Sequence, residues 1–364
     1  MPSGRKSSSI NVSAGDTMSY SDNAIATKAR AMYGQRLTAA DYDAMVKMAT
    51  VPDVAAYLKS ATHYRSVLTG LDEHRVHRGQ LEASLRGLRV AQYARLIQYH
   101  VAQGHNFYHF LFLWEEILQI IGVLRYVGAG SEGEYFPSYP RQLEQHCSYP
   151  LGALSRARSY PELLEALAGT PYQAILRRYP PKLEEQKNRI DLVSCERELR
   201  TYYYNTLLGQ IHREFGGETE KALTEALLEE VAAENLSGAY RLRRFFKSTP
   251  EEIQRALLPF DTPWDRVIQK IAHASGNQEL DQVLMQSHLT DQPIIDDDAI
   301  EQVMLRVRER TSRRNLRYST CPPVVLMAYV IQMEIELENI INIIEAIRYR
   351  LPPQDVRKLL ILSR

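Results

Sequence analysis

Glu115-Glu116-Ile117-Leu118-Gln119-Ile120-Ile121-Gly122-Val123-Leu124-Arg125 recurs without a gap as Glu338-Asn339-Ile340-Ile341-Asn342-Ile343-Ile344-Glu345-Ala346-Ile347-Arg348. A looser copy, Val231-Ala232-Ala233-Glu234-Asn235-Leu236-Ser237-Gly238-Ala239-Tyr240-Arg241, stands between them. Each is apolar nearly all round, the pattern of a helix buried on every side. Laid against one another, the three put an amide at one position, Gln119, Asn235 and Asn342. They put an arginine six residues later, Arg125, Arg241 and Arg348. A long-period repeat outranks any local signal and points to copies of one helical unit.

Helix starts repeat as well. Thr50-Val51-Pro52-Asp53, Ser159-Tyr160-Pro161-Glu162 and Ser248-Thr249-Pro250-Glu251 share a hydroxyl, a free position, proline and an acid. A Ser or Thr oxygen accepts from free N–H groups of the first turn. Proline fits there because the N–H it lacks would be unpaired anyway. The acid completes a capping box and meets the positive end of the helix dipole. On this reading Thr50, Ser159 and Ser248 are caps. Thr62, Thr170 and Thr262 are expected to cap the next helix in each copy.

Charge and cysteine usage narrow the class. Lys plus Arg equals Asp plus Glu, so the net charge is near zero, and the basic footprint of a nucleic-acid binder is missing. The cysteines, Cys147, Cys195 and Cys321, are too scattered for a disulfide framework or zinc spacing and fit reduced thiols. Met1 to Gly15 is Ser-rich and polar, unlike a signal peptide, and reads as a disordered tail. No apolar run is long enough to span a bilayer; Phe110 to Val127 comes nearest but carries Glu115, Glu116 and Arg125.

Helical periodicity dominates the rest, and no strand series stands out. Thr38 is expected to cap a helix toward Met48. Long helices are expected over Glu184–Ile211, Glu218–Arg244 and Val324–Leu351. The expectation is an all-α chain: a tail over 1–20 and helical repeats over 21–135, 136–246 and 247–364. The first break falls near Gly128 to Glu134, ahead of Pro137 and Pro140.

No catalytic or cofactor signature emerges. Phosphate-loop and nucleophile-elbow patterns are absent. His105 and His109 are four apart, with His100 nearby, but lack a fitting acid for a metal site. Asp296-Asp297-Asp298 lacks the glycine and final glutamate of a calcium loop. The arginines of Arg306 to Arg317 read as a solvated helix end, or as a patch for an acidic protein or lipid headgroups. The buried amides need partners. They either tie helices within a unit or line an inner surface where a partner docks. The partner-facing candidates are Gln119, Arg125, Glu234, Asn235, Arg241, Asn342 and Arg348.

Glu230-Val231-Ala232-Ala233-Glu234-Asn235-Leu236 with Tyr240-Arg241, and Met327-Ala328-Tyr329-Val330 leading through Glu338-Asn339-Ile340 to Arg348 and Leu351-Pro352, resemble the C subunit family of prokaryotic V/A-type rotary ATPases. That family is the relative of the eukaryotic d subunit. Leu111 to Arg125 resembles the matching helix of the family's first repeat, and the likeness runs from about Tyr20 onward. The resemblance implies a funnel of three similar helical domains around a pseudo-threefold axis. It implies a peripheral subunit on the cytoplasmic face of the membrane, without catalytic residue, cofactor, small-molecule substrate or nucleic acid. Its implied partners are the shaft subunits D and F and the membrane proteolipid ring, with the membrane stator subunit as a further contact. Its implied work is coupling ATP hydrolysis or synthesis to ion transport. The Ser-rich start and Arg306 to Arg317 depart from the family pattern. Two other classes stand beside it: a cytoplasmic helical-repeat scaffold, and an enzyme using His100, His105 and His109.

Overall fold

The computed structural model describes residues 20–69, 76, 78–102, 106–130, 141–184, 187–290 and 299–362. The readings of Met1–Gly15, His105 and Asp296–Asp298 fall outside them, as does most of the break after Gly128. The side chain of His100 is also outside.

The described chain is all-α. It opens with α1 (Tyr20–Tyr33), α2 (Ala39–Met45), α3 (Val51–Ala61) and α4 (Arg65–Leu68), followed by the long α5 (Arg78–Ala102) and α6 (Phe110–Gly128). Three short helices, α7 (Leu151–Arg156), α8 (Tyr160–Ala166) and α9 (Pro171–Leu176), lead to α10 (Leu192–Glu214) and α11 (Gly217–Arg244). Then come α12 (Pro250–Ala256), α13 (Asp265–His273) and α14 (Asn277–Gln286), the long α15 (Ala299–Tyr318) and α16 (Pro322–Tyr349), and finally α17 (Pro353–Leu359). Pairs of long helices thus alternate with sets of short ones.

One departure is a small antiparallel hairpin, Lys182–Glu184 against Lys187–Arg189, inside the segment expected to begin a helix at Glu184. Pro180 and Pro181 block a helix before it. Asp191 starts α10 instead, accepting from Ser194 N at 3.1 Å.

The caps follow the sequence in part. Thr38 and Thr50 form capping boxes with Asp41 and Asp53, and Ser159 accepts from Glu162 N. In the third copy the cap is Thr249, boxed with Glu252, not Ser248 with Glu251. The box needs an acid three residues after the cap, and Glu252 meets that from Thr249. Of the second signals only Thr170 caps, accepting from Gln173 N. Thr62 instead donates to Leu58 O at 2.6 Å, and Thr262 donates to Asp265 Oδ1 at 2.5 Å ahead of α13.

The buried amides correct the alignment of the copies. Asn339 Nδ2 donates to Ile361 O at 2.9 Å, and its Oδ1 accepts from Ile361 N at 2.8 Å. Asn235 does the same with Leu258, at 3.0 and 2.8 Å. On α6 the corresponding residue is Glu116, which accepts from Ser148 N and from the Tyr172 hydroxyl. Asn235 therefore matches Asn339 and Glu116, and the middle copy moves by three residues. Glu115, Glu234 and Glu338 then coincide, as do Arg125, Arg244 and Arg348. Gln119 and Asn342 match Gly238 rather than Asn235. The looser apolar pattern of α11 allowed the wrong register.

Each bridge ties a long helix to the chain returning past its end. The N-terminal halves of α6, α11 and α16 share one core, with Leu111, Val231 and Val325 buried in it. The later halves of α11 and α16 part into separate cores. Leu236 and Tyr240 pack with α12 to α14. Ile340 and Ile344 pack with Leu37, Tyr42, Val54 and Leu58 from the start of the chain, and with Val356 of α17. The last helix therefore completes its core with the first short helices, across the boundaries drawn at 21–135 and 247–364.

If the amide bridges hold the long helices to their returning segments, Asn235→Leu and Asn339→Leu should each lower stability by about 1–3 kcal/mol, the cost of leaving a buried backbone pair unsatisfied. Gln119→Leu, at a partly exposed position, should change it by no more than about 0.5 kcal/mol. Denaturant melts measure both; a neutral Asn339→Leu contradicts the assignment.

Candidate functional site

The convergence of the long helices leaves a cavity of about 540 Å³, walled by α5, α6, α10, α11, α15 and α16. Apolar side chains, among them Leu111, Met304, Val330 and Ile331, make much of its surface. Four arginines, Arg89, Arg200, Arg241 and Arg308, stand in the wall with four glutamates, Glu230, Glu234, Glu301 and Glu334. The balance is neutral, so the wall does not concentrate anions as a nucleotide site would.

The charges are held in pairs between helices. Arg308 of α15 reaches Glu230 of α11 at 2.7 Å and Glu334 of α16 at 3.2 Å. Arg200 of α10 pairs with Glu234 of α11, which also accepts from the Tyr204 hydroxyl at 3.2 Å. Arg200 lies over the Trp114 ring of α6, 5.5 Å from its centre, and Trp114 packs on Tyr203. Arg241 pairs with Glu301 at 3.2 Å. Arg89 of α5, in the wall, pairs with Glu115 of α6, buried behind it.

Protonation follows from these contacts. Burial raises the Glu230 carboxyl above its usual range despite Arg308. Burial also pushes Glu334 upward, but Arg308 and Arg89 overcome it and hold Glu334 below the usual range. Burial opposes the Arg308 charge, yet Glu230 and Glu334 outweigh it and strengthen the proton's hold.

The structure divides the expected site residues. Glu234 and Arg241 line the cavity. The other five do not. Asn235 is buried and spends its amide on Leu258. Arg125 is exposed and grips Glu196 in a fork of 2.7 and 2.9 Å. Arg348 lies over the neighbouring Tyr349 ring, while Gln119 and Asn342 are half-buried away from the wall. Sequence reading missed Arg89, Trp114, Arg200, Glu230, Arg308 and Glu334. A signal for two of them was present: Glu230-x-x-x-Glu234-Asn235 and Glu334-x-x-x-Glu338-Asn339 share one spacing. Arg308 was hidden inside an arginine run that reads as solvated.

The model of the ATP synthase (C/AC39) subunit family matches residues 25–359, and the chain belongs to that family, the C/d subunits of V/A-type rotary ATPases. The family is a non-catalytic subunit of the ATPase stalk. No curated protein sequence matches the chain. Among the described residues no helix is long and apolar enough to cross a membrane.

Removing Arg308 tests the network. Arg308→Met leaves Glu230 and Glu334 facing each other without their cation. The expected loss is about 2–3 kcal/mol at pH 7, below the full cost of breaking a buried pair because these side chains are partly exposed. In the wild type, Glu334 is depressed and supplies stability above its unfolded pKa that is lost as pH falls through its folded value. In the variant Glu334 rises, the fold then favours its neutral form, and the deficit should shrink from pH 7 toward pH 4.5. Melts across that range check it; a deficit that grows on acidification contradicts the pairing.

Proposed function

We propose that the chain is the coupling subunit of the rotor: it receives the end of the D–F shaft in the central cavity and sits on the membrane proteolipid ring. Rotation driven by ATP hydrolysis then passes to the ring, or ring rotation passes to the shaft during synthesis. The observation that carries this reading is the convergence of six long helices on one neutral cavity. A transmission part must resist twist. Close-packed cores yield little, and the cavity wall is cross-tied by ion pairs between α11, α15 and α16 and between α10 and α11. We further propose that the three amide or carboxylate bridges mark three units set about the cavity, giving the funnel its shape. Placement is on the cytoplasmic face as a peripheral subunit, since the family works in a membrane-bound ATPase.

Ser237 and Gly238 line the cavity on α11. Ser237→Trp should obstruct the cavity and Arg241→Glu should place two acids together at Glu301. Each is expected to lower affinity for the purified D–F shaft at least tenfold, a change of about 1.4 kcal/mol, with little change in melting temperature. Titration calorimetry alongside thermal melts decides: unchanged shaft affinity in both variants contradicts the cavity as the seat of the shaft.

A further inference from the structure

The arginine run is not one surface but two. At about 100° per residue, Arg306, Arg310, Arg313, Arg314 and Arg317 share one face of α15, while Arg308 points the opposite way into the central cavity. Arg306, Arg310, Arg314 and Arg317 are exposed. Arg310, Arg313, Arg314 and Arg317 line an open groove of about 530 Å³ beside His288, ending at Tyr318. Tyr318 is 76% exposed, the most exposed large apolar side chain among the described residues. Among the described residues two carboxylates act on this face: Glu309, paired with Arg313 at 3.3 Å, and Glu229 of α11, opposite Arg314. Five arginines against two glutamates leave a strong local excess on a chain whose net charge is zero.

We propose that this face of α15 docks on the phosphate headgroups of an anionic bilayer. Every cation in the run is arginine, whose planar fork matches phosphate oxygens in pairs. The stripe ends in an exposed tyrosine, a ring with an apolar body and a polar tip that suits the headgroup level of a membrane. Cationic side chains near such a surface add attraction one by one, without a built pocket, and an open groove offers that geometry. The bilayer is the anionic surface within reach if the subunit sits on the membrane ring, so the proposal rests on the placement given above.

The test uses the purified full chain, without ring or shaft, in vesicle flotation. Vesicles are phosphatidylcholine alone or phosphatidylcholine mixed with phosphatidylserine. The wild type should float with the mixed vesicles only, and less as salt rises. The variant Arg310→Gln, Arg314→Gln, Arg317→Gln should lose roughly a hundredfold in partitioning, the sum of three near-surface cations. A control with the same charge loss elsewhere, Arg177→Gln, Arg255→Gln, Arg266→Gln, should bind as the wild type does. Equal loss in both triple variants, or equal flotation with neutral vesicles, overturns the proposal. So does an unchanged flotation in the stripe variant that instead loses an acidic protein subunit, which gives the face to a protein. Shaft titration on the stripe variant should match the wild type, so failure here is distinguishable from failure of the coupling reading.

Discussion

Arg308 is the joint on which the central architecture turns. One guanidinium on α15 is shared by a carboxylate on α11 and another on α16. Two acids brought together away from water repel, and each alone would be neutralised by burial. The cation between them keeps Glu334 ionised and fixes the distance among three long helices. Arg200 with Glu234, and Arg89 with Glu115, do similar work between α10 and α11 and between α5 and α6. Such pairs are weak devices for raw stability but good ones for orientation, because only one arrangement leaves no charge unpaired. The shaft seat proposed above would need helices held in one orientation.

The same economy closes the chain on itself. Glu336 of α16 accepts from Leu37 N at 2.8 Å and from the Tyr64 hydroxyl at 2.7 Å, and His63 approaches it at 3.4 Å. Arg30 of α1 donates to the carbonyls of Leu316 and Ser319, at 2.8 and 2.7 Å. The first helices are thereby fastened to α15 and α16, over an apolar core that neither end could complete alone. Close packing across this join makes it yield little to deformation.

What was legible in the sequence followed from local rules. The long apolar helices and the caps at Thr38, Thr50, Ser159 and Thr170 are set by residues within one turn of each other. The site was harder, because its pairs join residues far apart in the chain: Arg308 and Glu230 are on different helices, as are Arg200 and Glu234. Polar residues inside apolar helices were the right kind of clue, yet two uses of them look alike in sequence. Asn235 and Asn339 satisfy a returning backbone, while Glu230 and Glu334, five residues earlier on the same helices, face the cavity. The mistaken register of the middle copy came from the same cause. In α11 the apolar face is broken by cavity-facing acids, so hydrophobic pattern alone could not align it, whereas the amide's backbone partner does.

A shaft seated among the converging helices, as proposed, would lie within reach of the cavity wall. The most direct measurement places a photo-reactive amino acid at Ile331, in the cavity wall, or at Val193, exposed at the start of α10. Each protein is assembled into the complete ATPase and irradiated, and the adducts are identified by mass spectrometry. A shaft seated there gives a shaft-subunit adduct from Ile331 and none from Val193. Shaft capture from Val193 with none from Ile331, in a complex that still hydrolyses ATP, would contradict it.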